Sequence, residues 1–269
     1  MKDILQRVKD FQYTSLEYAD ISDISDSQVC VNNNHGLFLY SKSEGKATID
    51  WGTSSKEEFF HGLEEAIAII SLDKSIKKIY IEFIPEDYVS EMENRGFIIV
   101  SEWVDFWNND LNTIGVEQPN SLVIRRINEN EYKEASEITK SCKGYSRGFR
   151  GESPQWIREW NESENSCIFI AEMNKKIIGI CCVNLYGFES EKGIVLWLRE
   201  IAVNPNYHSQ KVGLNLAVHG INWGKENGAV RSFLACDAEN KYAIKLYEGL
   251  GYKRKLNRGQ INMEKIIEV

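Results

Sequence analysis

Shifted by 155 residues, the chain lies on itself: KKIYIEFIPEDYVSEMENRGFIIV (77–100) falls without a gap on SFLACDAENKYAIKLYEGLGYKRK (232–255). A run of strand character meets another, and a stretch of helical spacing meets another. Gly96 falls on Gly251 and Phe97 on Tyr252. Such a glycine is informative because a helix often ends on a left-handed residue, a conformation that a Cβ disfavours. Upstream, GLFLYSKSEGKATIDW (36–51) reads as a hairpin and KEEFFHGLEEAIAII (56–70) as a helix. The repeat predicts two halves of one architecture, each interleaving strands and helices, and hence an α/β chain with mixed (α+β) sheet.

The bulk numbers fit two ordinary domains: 269 residues, 42% hydrophobic and 27% charged, with four prolines. No apolar run reaches the ~18 residues of a membrane span. The N-terminal MKDILQRVKDFQ is amphipathic and carries acids, unlike a signal peptide. The expectation is a cytoplasmic protein without a membrane partner. Six cysteines (30, 142, 167, 181, 182, 236) show no C-x-x-C pair, and the four histidines make no zinc spacing, so buried free thiols and no metal are expected. Residues 1–119 hold 10 Lys+Arg against 22 Asp+Glu, and the rest of the chain holds 22 against 18. That balance argues against nucleic acid as a partner of the first half. Its acids are either a solvated surface or an attraction for cationic substrates.

The polar stretch NNDLNTIGVEQPNS (108–121) reads as a linker, which sets domains at 1–115 and 121–269. After it, SLVIRRI (121–127) reads as a strand and NENEYKEASEITKSC (128–142) as a helix capped by Asn128 or Asn130. A loop, KGYSRGFRGES (143–153), leads to a short helix opened by Pro154. CIFIAEM (167–173) and KIIGICCVNLYG (176–187) flank Asn174-Lys175 as a hairpin. GIVLWLREIAV (193–203) is a strand, followed by NPNYHSQKVG and an apolar helix to about Lys225. SFLACDA (232–238), the helix NKYAIKLYEGL (240–250) and a last strand pair, YKRKL with QINMEKI, complete the chain.

Strand, glycine loop, then helix is a common way to hold a phosphate. The first turn of a helix leaves N–H groups unpaired, and the helix dipole favours anions there by ~0.3–1 kcal/mol. Gly213 removes a Cβ from that approach. EIAVNPNYHSQKVGLN, together with AENKYAIKLYEGLGY at the right distance and the element order over 121–269, resembles the GNAT superfamily of acyl-CoA-dependent N-acyltransferases. The first motif matches the family's Q/R-x-x-G-x-G/A loop except at Asn215, where a small residue is usual. The first half resembles a degenerate copy, so the chain resembles two GNAT-like domains in tandem. A Rossmann site fits worse, because there is no glycine triad after an early strand.

The resemblance implies acetyl-CoA as co-substrate and no metal. Its pyrophosphate would meet Gln210, Lys211, Val212, Gly213, Leu214 and Asn215. Its pantetheine arm would pair with the backbone of Ile201, Ala202 and Val203, like an added strand, and touch Asn240, which is also a natural helix cap. Tyr247 matches the family tyrosine near the coenzyme sulfur, and a phenol suits protonation of a departing thiolate. In the repeat it falls on Met92, which has no proton to give, and DWGTSSKEEFF puts glutamates where the first half would need phosphate donors. The first half is therefore expected not to catalyse. Strict alternation puts Leu196, Leu198, Glu200 and Ala202 on one strand face and Ile201 and Val203 on the other. Glu200 there is either the base for the acceptor amine or a structural carboxylate near Arg199. Tyr145, Arg147, Phe149 and Arg150 lie in the loop that the family places near the acceptor.

The expected function is transfer of acetyl from acetyl-CoA to a primary amine of a small molecule or peptide by direct attack. The alternative is a non-catalytic acyl-CoA sensor or interaction protein.

Overall fold

The computed structural model describes residues 2–8, 10–17, 19, 24–111, 119 and 121–267. Its helices are α1 (Lys2–Val8), α2 (Lys56–Ile70), α3 (Val89–Asn94), α4 (Tyr132–Ser141), α5 (Pro154–Glu162), α6 (Val212–Glu226) and α7 (Lys241–Gly249). The strands are β1 (Tyr13–Thr14), β2 (Gln28–Asn32), β3 (Gly36–Ser43), β4 (Lys46–Thr53), β5 (Lys78–Ile84), β6 (Ile98–Asn108), β7 (Leu122–Arg126), β8 (Ser166–Met173), β9 (Lys176–Tyr186), β10 (Val195–Val203), β11 (Arg231–Asp237), β12 (Lys253–Arg254) and β13 (Gln260–Ile266). No described helix is long and apolar enough to cross a membrane.

Two compact units result, Met1–Glu102 with Gln260–Val269, and Trp103–Gly259. The division falls inside β6, whereas much of the stretch read as a linker (112–118 and 120) lies outside the described residues. The last two strands also do not pair with each other. β12 pairs with β6 (Lys253↔Trp107), and β13 pairs antiparallel with β5. The reason is burial: Ile261 and Met263 of β13 enter the core of the first unit beside Ile79, Ile81 and Phe97.

In the first unit the strand order is β2-β3-β4-β5-β13, followed by the opening residues of β6. An aromatic cluster fills its core, with Phe59 4.6 Å from Trp51 and 5.0 Å from Tyr88 between ring centroids. β4 and β5 pair as parallel strands only from Lys46↔Lys78 to Ile49↔Ile81. β3 occupies the far edge of β4 along its whole length, from Gly36↔Thr53 to Ser43↔Lys46. β1, which pairs with β4 at Tyr13↔Thr53 and Thr14↔Gly52, must therefore use the edge that β5 has left. Ser15 secures it: its N–H donates to the Trp51 carbonyl at 2.9 Å, and its Oγ accepts from the Trp51 N–H at 2.9 Å. A Cβ on Gly52 would sit 2.7 Å from the Phe11 ring, so this close approach needs glycine. α2 begins with its own cap. Ser55 Oγ accepts from the Glu58 N–H, and Glu58 Oε2 from the Ser54 N–H, both at 3.2 Å.

In the second unit the order runs from the closing residues of β6 through β11, β10, β9 and β8 to β7. α6 packs on one sheet face, its Leu216 and Ile221 in one core with Val183, Leu196 and Leu198. α4 and α5 pack on the other, over Ile168, Ile170, Ile180 and Ala202. Adjacent Cys181 and Cys182 face opposite sides, one in each core. All six cysteines are free thiols. The β8–β9 hairpin turns on Asn174 and Lys175, both at positive φ, as a two-residue turn requires.

The helix ends that revealed the repeat are built alike. Gly96 (φ 82°) and Gly251 (φ 88°) follow α3 and α7. The Phe97 N–H reaches the Met92 carbonyl at 3.1 Å, and the Tyr252 N–H reaches that of Tyr247 at 3.0 Å. Phe97 and Tyr252 are both buried. Met92 and Tyr247 thus hold equivalent positions in the two units.

Candidate active site

β10 and β11 run parallel in contact only from Val195↔Arg231 to Trp197↔Phe233. Beyond that, β10 keeps β9 as its partner and β11 keeps β6, so the two strands part. Ile201, Ala202 and Val203 border the gap. The Val203 carbonyl is already engaged, accepting from Cys142 Sγ at 3.2 Å and lying 2.8 Å from His208 Nε2.

The register of β10 against β9 slips between Leu198 and Glu200. Leu198 stands opposite Val183, Glu200 opposite Cys182 and Ile201 opposite Cys181. The extra residue breaks the strict alternation read from sequence. Leu196 and Leu198 face α6 together with Ile201 and Val203, while Glu200 and Ala202 face α4.

Glu200 is only 5% exposed, and neither carboxyl oxygen has a hydrogen-bond partner. Arg199 Nη1 is 3.8 Å from Oε2. Burial above all, and then the nearby Glu152 carboxylate, raise the Glu200 carboxyl, Arg199 offsets part of the rise, and together they bring it to about 8. Glu200 is therefore protonated at neutral pH and becomes a proton acceptor above about 8. Arg199 Nη2 also lies 3.5 Å from Glu152 Oε1.

Glu152 was not among the residues singled out from sequence. It sits at the end of the loop after α4, yet it is firmly anchored. Its N–H donates to Thr139 Oγ1 at 2.8 Å, and its carbonyl accepts from Ser136 Oγ at 2.7 Å, both hydroxyls on buried α4 residues. Gly151 (φ 82°) allows the contact, because a Cβ there would be 2.6 Å from the Lys140 backbone.

Tyr247 is half-buried on α7, its ring centroid 6.1 Å from that of Tyr252. Burial raises its phenol well above the ordinary tyrosine value, with Cys236 and Cys181 adding to the effect. The hydroxyl stays protonated across the working pH range. Asn240 caps this helix, its Oδ1 accepting from the Ala243 N–H at 3.2 Å.

The loop before α6 turns on two left-handed residues, Ser209 (φ 62°) and Lys211 (φ 61°). No side chain caps α6, so Val212, Gly213 and Leu214 open it without a side-chain acceptor. A Cβ on Gly213 would meet nothing nearer than 3.6 Å, so internal packing does not require glycine there. Asn215 is 5% exposed and folds into its own helix, its Nδ2 donating to the Lys211 carbonyl at 3.0 Å. Its bulk is thus turned inward. Gln210 reaches back to the Asn206 carbonyl at 3.3 Å, and Lys211 is exposed.

The four acceptor-loop candidates separate. Arg147 is tied to Asp237 at 3.1 Å and Glu239 at 3.0 Å, and Phe149 packs on the α4–α5 core. Arg150 is exposed, as is Tyr145 at 60%, whose ring meets His208 edge-on at 5.1 Å.

The sequence profile of the acetyltransferase (GNAT) family matches residues 132–252, which hold the bulged strand, the uncapped helix and Tyr247. An uncharacterised N-acetyltransferase of Methanocaldococcus jannaschii is 26% identical over 153 residues, 55% of this chain and 68% of that protein. The probable N-acetyltransferase camello of Xenopus laevis is 29% identical over 94 residues, 35% of this chain and 42% of that protein. The crystal structure of a GCN5-related N-acetyltransferase from Sphaerobacter thermophilus superimposes with a TM-score of 0.64 at 14% identity. It covers 100% of this chain and 86% of its own. A GCN5-related N-acetyltransferase from Kribbella flavida gives 0.57 at 12%, covering 90% of each. Residues 132–252 thus match the acetyltransferase (GNAT) family, and the similarity to an N-acetyltransferase extends over 153 residues of the chain.

Proposed function

We propose that the second unit transfers an acetyl group from acetyl-CoA to a primary amine of a small molecule or peptide, binding one coenzyme per chain. The observation that carries the reading is the parting of β10 from β11 beside an uncapped helix start. The open edge of Ile201–Val203 suits an extended amide-bearing arm, which would add to it as a strand does. The N–H groups of Val212, Gly213 and Leu214, with Lys211 and Gln210 beside them, suit a pyrophosphate. Asn240 stands at the start of α7, near the arm's expected course.

The coenzyme supplies the thioester. The amine nitrogen forms the new bond to the acetyl carbon as the carbon–sulfur bond breaks. Glu200, as carboxylate, takes the proton the amine must shed, directly or through water. Tyr247 gives its phenolic proton to the departing sulfur, and the Val203 N–H polarises the acetyl oxygen. In the first unit the equivalent of Tyr247 is Met92, β1 borders the gap between β4 and β5, and α2 caps itself. We assign that unit no chemistry.

Calorimetry with acetyl-CoA tests the reading. One site per chain, lost in Gly213→Asp, is expected, and two equivalent sites would contradict it. A second reading, a coenzyme sensor without turnover, draws on the neutral state of Glu200 near pH 7. Thiol release from acetyl-CoA across an amine panel, measured also above pH 8, separates the two.

A further inference from the structure

One face of the β10–β11–β6 strip in the second unit has an unusual composition. Along β6, Val104, Phe106 and Asn108 are buried while Trp103, Asp105 and Trp107 stand half-exposed on the other side. Along β11, Ser232 and Leu234 are buried while Arg231 and Phe233 are half-exposed. A sheet with one solvated face normally shows polar residues there. Here the outward positions are aromatic, and they touch in series. Trp107 and Phe233 are opposite one another with ring centroids 5.0 Å apart, Phe233 is 6.4 Å from Trp197 of β10, and Trp197 is 5.7 Å from Trp160 of α5. All four rings are half-exposed. Four adjoining half-exposed rings form an apolar strip of the sort that marks a binding surface.

Each end of the strip carries a polar group with unmade hydrogen bonds. Arg231 lies over the Trp107 ring at 5.2 Å, its Nε has no hydrogen-bond partner, and no carboxylate among the described residues is within ion-pair distance of it. At the other end is Glu200, buried, its carboxyl 3.8 Å from Arg199, on the face of β10 from which Trp197 meets Trp160 of α5. Arg231 stands opposite Val195, five positions before Glu200. At ~3.3 Å per residue that is roughly 15 Å along the strand, before the side chains shorten it. A free α-amino acid, whose amine and carboxylate are two bonds apart, cannot engage both ends.

Taking the acetyl-transfer reading of this site as given, we propose that the acceptor is a short peptide with an aromatic side chain and a free terminal carboxylate. Its α-amine lies at Glu200, its aromatic ring on Trp197 and Phe233, and its carboxylate on Arg231. The guanidinium offers the planar donors that a carboxylate accepts, and the rings offer stacking faces. An anionic far end also explains why Arg231 stands without a protein carboxylate.

The test is binding to the full-length protein without coenzyme, followed by tryptophan fluorescence, with three probes: Ala-Phe-Phe, its C-terminal amide and trialanine. Ala-Phe-Phe is expected to bind about tenfold tighter than either of the others, the size of one good charge-assisted or stacking contact. Arg231→Gln should abolish the preference for acid over amide and keep that for Ala-Phe-Phe over trialanine. Phe233→Leu, which keeps an apolar side chain of similar bulk, should do the reverse, with circular dichroism and acetyl-CoA affinity confirming the fold of both. Equal binding of the three probes would overturn the proposal, as would a preference that neither substitution changes. Rapid acetylation of plain alkylamines with no aromatic preference would overturn it while leaving acetyl transfer intact. Tight peptide binding without thiol release would leave the peptide site standing and defeat acetyl transfer instead.

Discussion

Glu152 and Glu200 flank one guanidinium, with Arg199 3.5 Å from the first and 3.8 Å from the second. Two carboxylates around one cation leave a deficit of positive charge, and the more buried of the two, Glu200, keeps its proton to about 8. Gly151, Ser136 and Thr139 hold Glu152 at that spot. Glu152 thus adds to the rise that burial gives the Glu200 carboxyl.

If Glu200 is the base, acetyl transfer should rise with pH to a plateau above about 8, because only the carboxylate accepts the amine's proton. Glu152→Gln removes a neighbouring negative charge, lowers the Glu200 pKa and should move the rising limb toward lower pH. Arg199→Gln removes the compensating cation and should move it the other way. The groups that face Glu200 besides these, Cys142 and Cys182, carry thiols raised by burial and stay neutral through the window. Profiles of kcat/KM for the three proteins check the signs. Limbs that do not separate would assign the limb to the amine itself.

The same group links stability to pH. The ordinary value of the Glu200 carboxyl is 4.5 and its folded value is about 8, so the folded state holds a proton that the unfolded chain has released between those limits. Its contribution is fully present below 4.5 and is lost as pH rises through 8. Glu200→Gln, neutral at every pH, should cancel that loss. Relative to wild type it should gain melting temperature from pH 5 to pH 9, by about 2–4 °C for each kcal/mol in a chain of this size. Parallel melting curves across that range would count against the assignment.

Gly213 separates fold from binding. A Cβ there meets only Leu246 and Val203 at 3.6 Å, ordinary contact distance, so Gly213→Ala should fold and melt within about 0.5 kcal/mol of wild type. Gly213→Asp places a negative charge among the N–H groups meant for phosphate and should weaken acetyl-CoA by at least about tenfold, roughly 1.4 kcal/mol. Unchanged affinity in a folded Asp variant would move the phosphate elsewhere.

Tyr247→Phe keeps the ring against Tyr252 and deletes the hydroxyl. Coenzyme affinity should change little, while turnover falls by about 10²–10⁴, the usual worth of general acid help. Wild-type turnover on a good amine would make Tyr247 a packing residue.

The sequence made the repeat legible because it rests on local chemistry: Gly96 and Gly251 are needed where a helix turns left-handed, and Phe97 and Tyr252 are buried directly after. The helix start at Val212 was readable for the same reason. The face of Glu200 was not, since a bulge at Arg199 leaves no mark in composition and reverses the alternation beyond it. Glu152 was hidden because its partners, Ser136, Thr139 and Arg199, come from two other elements. The unit that β13 joins was hidden too, for its partner β5 lies about 180 residues away in the chain, and strand pairing at that separation is decided by which core takes Ile261 and Met263.

The last prediction follows from that strand. A fragment beginning at 120, the boundary suggested by the polar stretch, would lack residues 103–108 of β6, which pair with β11 from Trp103↔Asp237 to Asn108↔Ser232. It would also keep β13 without β5, leaving Ile261 and Met263 with no core to enter. An unpaired β11 edge and an apolar orphan strand both favour aggregation. A fragment of residues 103–259 keeps every strand of the second unit and omits β13. Expressed side by side, 103–259 should be soluble, with a cooperative thermal transition, and should bind acetyl-CoA, while 120–269 should aggregate or melt without cooperativity. Circular dichroism melts and light scattering of the two decide it. A cooperative, monomeric 120–269 would show that the closing residues of β6 are dispensable to the second unit.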